Sequence, residues 1–318
     1  MPPAPAGSKV WSRQPPTGQR SEGDNAHDPA AHRTHDRSGR SPPVAPPPGR
    51  PAPGAAFLCI CYAVTWATAV PWFRARTDIL PFELPMWGSL GTVFGVALAA
   101  VLVVAASDGR AGVRDLARRS LRWRVGARWY LLAVLGLPVV VLAGAIALFG
   151  TAALEALADD WRLLLTRVLP VLLLQLALFQ LAEEVGWMGF LQARLQDRHG
   201  PLKASLLVTV PFALWHLPDL FAQAGLATAL IILPILAAAH LCARIVFLWL
   251  YNATGASVLL VAVFHASFDA TVNGVGLGQL IPGPNGTALV LATGAIALAA
   301  VGLVVTTRGR LAYERKGP

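Results

Sequence analysis

The stretch LLTRVLPVLLLQLALFQLAEEVGWMGF, residues 164–190, decides how the rest of the chain is read. Its first part is almost free of charge, and Arg167 is the exception. Two adjacent carboxylates, Glu183 and Glu184, then follow. An apolar run of about 20 residues matches the thickness of a bilayer's hydrocarbon core. An ionisable side chain inside such a run costs roughly 2.5–3.5 kcal/mol on insertion scales, so it faces a bundle interior or a cavity. Two glutamates here therefore imply a membrane span with a polar task.

Composition extends that reading to the whole chain. Of 318 residues, 55% are hydrophobic and 14% charged, against about 25% charged in ordinary soluble domains. The net charge of +9 is gathered in the N-terminal tail, around RDLARRSLRWR and at the C-terminus. These arginines flank apolar runs and do not stripe one helix face, so they set membrane topology and imply no nucleic-acid partner. Cys59, Cys61 and Cys242 all lie in apolar segments and read as small buried side chains.

Residues 1–54 are rich in Pro, Gly, Arg and Ser and poor in large apolar residues, which predicts a disordered tail. From Ala55 onward eight spans are expected, near 55–73, 84–106, 128–150, 165–192, 202–222, 226–250, 256–273 and 288–306. The chain is thus expected to form an all-α polytopic bundle over 55–306, followed by a short tail over 307–318. Lys and Arg crowd the tail, the loop from Ser107 to Arg128, the loop after the fourth span and the C-terminus. Both termini are therefore expected in the cytoplasm.

Few ionisable residues lie inside the spans. They are Glu183 and Glu184 in the fourth, His216 in the fifth, His240 and Arg244 in the sixth, and His265 and Asp269 in the seventh. At about 1.5 Å of rise per residue, Glu183 and His265 each lie roughly 14 Å from the cytoplasmic edge, and His216 roughly 21 Å. Similar depth on three alternating spans is what a shared intramembrane site requires. His265 and Asp269 are one turn apart, so the carboxylate can orient the imidazole. Glu183 and Glu184 point about 100° apart and need separate partners. Adjacent carboxylates in a low dielectric resist ionising together. His240 and Arg244 are read as interhelical hydrogen-bonding residues. The spacing alone suits a hydrolase or a proton or ion pathway, though no paired broken helices mark a transporter.

Three stretches carry a resemblance: EEVGWMGFL, FALWHLP and LYNATGASVLLVAVFHASFDA. Their order and spacing resemble the CPBP family of intramembrane proteases, which includes the CAAX prenyl endopeptidases and relatives linked to bacteriocin processing. The resemblance covers about residues 165–273. It implies a helical membrane bundle, commonly of eight spans, in a bacterial plasma membrane, and peptide-bond hydrolysis within that membrane. It implies catalytic roles for Glu183, Glu184, His216, His265 and Asp269, with Phe212 packing beside them. Glu183 and His216 would polarise a water, and His265 with Asp269 would serve the oxyanion. If a metal takes part, Zn²⁺ on His216, His265 and Glu183 is the candidate set. The implied partner is a membrane-embedded or lipid-modified peptide substrate. The oligomeric state stays open.

One position departs from that pattern. The first motif is expected to read EExxxR, and the arginine position here is Met188. Glu184 is then either neutral or paired with another helix's residue, such as Arg244. A non-catalytic scaffold or immunity protein is the alternative that this departure keeps open.

Overall fold

The computed structural model describes residues 52–77 and 90–314, and every structural statement below concerns those residues. Most of the expected N-terminal tail, the start of the second expected span and residues 315–318 lie outside them.

The described chain is an all-α membrane bundle. Its helices are α1 (Pro53–Thr77), α2 (Leu90–Ser120), α3 (Ala127–Phe149) and the short α4 (Ala152–Asp159). They continue with α5 (Leu164–His199), α6 (Pro201–Trp215), α7 (Leu217–Ala253), α8 (Val258–Val272) and α9 (Thr287–Thr306). Six helices are long and apolar enough to cross a membrane, and Pro53–Ala69 and Pro201–Trp215 are shorter apolar helices. Together they are consistent with the expectation of about eight.

The packing is that of a protein surrounded by lipid. In α9 the buried positions are Ala288, Ala292, Ile296 and Ala300, one turn apart. Its outer face carries Val290, Leu298 and Val305, at 73%, 76% and 69% exposure. Small residues face inward so that helices approach closely, and large ones face outward. Along α3 the inward stripe is Ala133, Leu137, Val141 and Ala145, with alanines at its ends and larger side chains between them. The most enclosed span is α8 with its following turn, more than half of which lies inside the bundle, while the other spans are mostly exposed. His265 and Asp269 ride on that helix.

Three expectations need correction. The fifth span was expected to continue to residue 222, but α6 ends at Trp215 and His216 occupies the break before α7. Pro218 explains this, because proline disfavours helical conformation in the residue before it and lacks the donor to continue the ladder. The supposed loop from Ser107 to Arg128 is helical as far as Ser120, with α2 kinked at Gly109, which adopts a φ of 64°. The fourth span is longer than expected and alternates α- with π-helical turns at Leu164–Val168, Gln175–Gln180 and Val185–Gln192. Such turns concentrate at functional sites because they rotate the following side chains and loosen the backbone ladder. Here the Gly189 carbonyl accepts a hydrogen bond from Arg119 of α2 at 2.8 Å.

Gly186 sets how closely α5 approaches α2. A Cβ there would lie 2.5 Å from Val96 Cγ1 and 2.8 Å from the Val96 carbonyl oxygen. Gly186→Ala should therefore destabilise the bundle by about 1–3 kcal/mol through overpacking. Gly294→Ala in α9 meets nothing within 4 Å and should be neutral. Thermal melting of the two variants in detergent checks this; equal melting temperatures would contradict it.

Candidate active site

The site is built where α5, α7 and α8 meet. Glu184 is fully buried. Arg244, 1% exposed, reaches across from α7 and forks onto it, with Nη1 donating to Oε2 and Nη2 to Oε1, both at 2.9 Å. His265 Nδ1 lies 3.0 Å from Glu184 Oε1. A guanidinium keeps its proton, so Glu184 serves both partners as an acceptor. His265 therefore carries its proton on Nδ1 and presents Nε2 to the site. His216 Nδ1 lies 2.9 Å from the Phe212 carbonyl oxygen. That oxygen only accepts, so His216 likewise has Nε2 left for chemistry.

Glu183, half-buried beside this pair, receives no hydrogen bond from a described residue, and it lies within electrostatic reach of His265, Glu184, Asp269 and Arg244. His216 in turn lies within electrostatic reach of His265 and Arg244. The five expected residues thus converge on one region. Asp269 is the exception to its expected role. The group that holds His265 Nδ1 is Glu184, while Asp269 accepts a hydrogen bond from the Gln180 amide. The reason is helical direction: the α5 carboxylate approaches Nδ1 from the facing helix, and Gln180, one turn before Glu184, reaches Asp269.

Aromatic rings enclose the site. Phe212 packs edge-on against Trp187, with ring centres 5.2 Å apart, and also touches the His216 and His240 rings at 4.9 and 4.7 Å. The Arg244 guanidinium lies 4.1 Å over the Phe212 ring, an arrangement favoured by the ring's negative face. A cavity of about 160 Å³ opens beside these groups, and its wall includes His240, Arg244, Phe247, His265 and Phe268. Such a lining admits an apolar group and presents it to a few fixed polar atoms.

His240 and Arg244 were read as structural residues, and both border the site. His240 lies 4.8 Å from His216 ring to ring, and its Nδ1 is buried without a hydrogen-bond partner. The signal in the sequence was present: a lone arginine in the run ILAAAHLCARIVFLWL is costly unless paired. For the metal set, no group of three or more His, Cys, Asp or Glu side chains among the described residues stands close enough to hold an ion. Glu184, bound to Arg244, is outside that set, and its members Glu183 and the Nε2 atoms of His216 and His265 are not gathered around one point. No step below is therefore routed through a metal.

Comparison with known proteins points to the same segment. Residues 165–271 match the family model for type II CAAX prenyl endopeptidases, Rce1-like. A curated protein of Methanococcus maripaludis named CAAX prenyl protease 2 is 33% identical over 113 residues, which is 31% of this chain and 38% of that relative. The chain therefore spans about two fifths of the relative it matches. The matched residues hold the Arg244–Glu184–His265 contacts and all three motifs, so the resemblance to the CAAX prenyl endopeptidases is carried by the very segment that builds the site.

Proposed function

We propose that the protein is an intramembrane endopeptidase that hydrolyses a peptide bond of a membrane-associated or lipid-modified substrate. The observation that carries this reading is the unpartnered Glu183 carboxylate beside an ordered Arg244–Glu184–His265 chain. A water held between Glu183 and His216 Nε2 attacks the scissile carbonyl carbon, and its proton passes to that pair. The carbonyl oxygen, gaining negative charge, accepts from Nε2–H of His265 in its protonated form, for which Glu184 supplies a fixed counter-charge. When the carbon–nitrogen bond breaks, the proton taken from water goes to the leaving amine. Asp269, held by Gln180, adds a carboxylate within electrostatic reach of Glu183 and His265. The apolar cavity supports a substrate that arrives from the lipid phase.

The reading includes a bacterial plasma membrane, both termini in the cytoplasm, and no nucleic-acid partner. A peptide-binding scaffold without chemistry is the second reading, favoured by Met188 in place of the arginine expected there.

Cleavage of a fluorogenic peptide ending in a prenylated C-a-a-X sequence, by full-length protein in liposomes, separates the two. Glu183→Gln, His216→Ala and His265→Ala should each lower kcat by at least about 100-fold, the lower range for losing a general acid or base. Wild-type protein that binds the peptide without cleaving it would favour the scaffold. Protein stripped of metal by a chelator should keep its cleavage rate. Loss of activity restored by Zn²⁺ would overturn the metal-free mechanism.

A further inference from the structure

Arg244 does more than neutralise a buried charge. Its side chain is held to α5 by the two-pronged bond to Glu184, and its backbone carbonyl accepts from Gln192 Nε2, also of α5, at 3.2 Å. Its guanidinium lies against Phe212 at 4.1 Å and Phe247 at 5.3 Å, so the fork is clamped between rings. Glu184 then has one orientation, and with it His265 Nδ1 has one partner. On α5 itself, the residue four positions beyond Glu184 is the uncharged Met188. Met188 is fully buried and belongs to the same apolar cluster as Val246, Phe247 and Leu248 of α7. The cation and the methionine are thus both buried, one bonded to α5 from α7 and the other in an apolar cluster to which α7 contributes.

We propose that Arg244 is the positioning cation of this site, carried on α7 in place of one on α5 at position 188. It fixes Glu184 as an acceptor and thereby sets His265 with Nδ1 protonated and Nε2 turned towards the substrate. This proposal rests on the hydrolytic reading for its catalytic part; the pairing itself stands on geometry alone.

The exchange of positions tests it. In the full chain in detergent, Arg244→Met should lower the melting temperature, because it leaves Glu184 buried without its partner. Glu184→Gln combined with Arg244→Met should melt above Arg244→Met alone, since the orphaned charge is gone. A double variant no more stable than the single one would overturn the pairing. In the prenylated-peptide assay, Arg244→Met should lower kcat by at least about 30-fold with KM changed less than about threefold, the pattern of a lost transition-state interaction. Met188→Arg added to Arg244→Met should recover at least tenfold of that loss. Arg244→Lys, which cannot form the fork, should remain impaired. No recovery from Met188→Arg, in protein that melts like wild type, would overturn the positioning role. If wild-type protein cleaves nothing while the melting cycle shows coupling, the hydrolytic reading fails and the pairing survives.

Discussion

The bond between Arg244 and Glu184 is the constraint on which the site depends. Two opposite charges are taken almost wholly out of water, to 1% and 0% exposure. Desolvation of such groups costs several kcal/mol each, and breaking the pair by removing one partner costs about 3–5 kcal/mol. The bond is kept by geometry: a planar fork meets a planar carboxylate at 2.9 Å on both prongs. Everything else follows from its orientation. One Glu184 oxygen holds His265, the stretch ahead of Glu184 turns Gln180 to Asp269, and Phe212 is pinned beneath the guanidinium.

The bundle makes such a pair possible. Hydrocarbon offers no hydrophobic drive between helices, so close approach and satisfied polar groups hold them together. Gly186 brings α5 against α2, and the inward stripes of α3 and α9, in which alanines accompany Leu137, Val141 and Ile296, pack against the rest of the bundle. The enclosed α8 can then carry His265 and Asp269 away from lipid. Glu183 and Glu184 sit on the α-helical turn between two π-helical stretches, and their divergence of about 100° lets adjacent glutamates serve different ends. One is tied to the scaffold and the other stays open to a reactant.

Much of this was legible in the sequence. Apolar runs of spanning length gave the bundle, and the ionisable residues within them gave Glu183, Glu184, His216, His265 and Asp269. Membrane spans are legible because hydrocarbon forbids unsatisfied backbone, leaving helix as the fold of an uncharged run. Three things were not legible. The break at His216 looked like the middle of a span, because prolines also lie inside spans of this chain, as Pro138, Pro211 and Pro234 do, so Pro218 alone does not mark a helix start. The polar end of α2 looked like a loop, because its charges mask a helix that continues past the bilayer. The partner of His265 was assigned to Asp269 by one-turn spacing, yet the contact comes from another helix. Spacing along one helix reports which residues share a face, and it says nothing of what that face meets. The pairing of Glu184 with Arg244 was legible too, because a charge inside a span is costly unless another helix supplies its partner.

The most direct test of the account is isotopic. Full-length protein in liposomes, given a prenylated C-a-a-X peptide in H₂¹⁸O, is followed by mass spectrometry of the product's new C-terminus. The account predicts a fresh carboxylate carrying one ¹⁸O from the attacking water, formed by wild type and absent with Glu183→Gln. Peptide that is bound by wild type and recovered intact, with no labelled terminus, would contradict it.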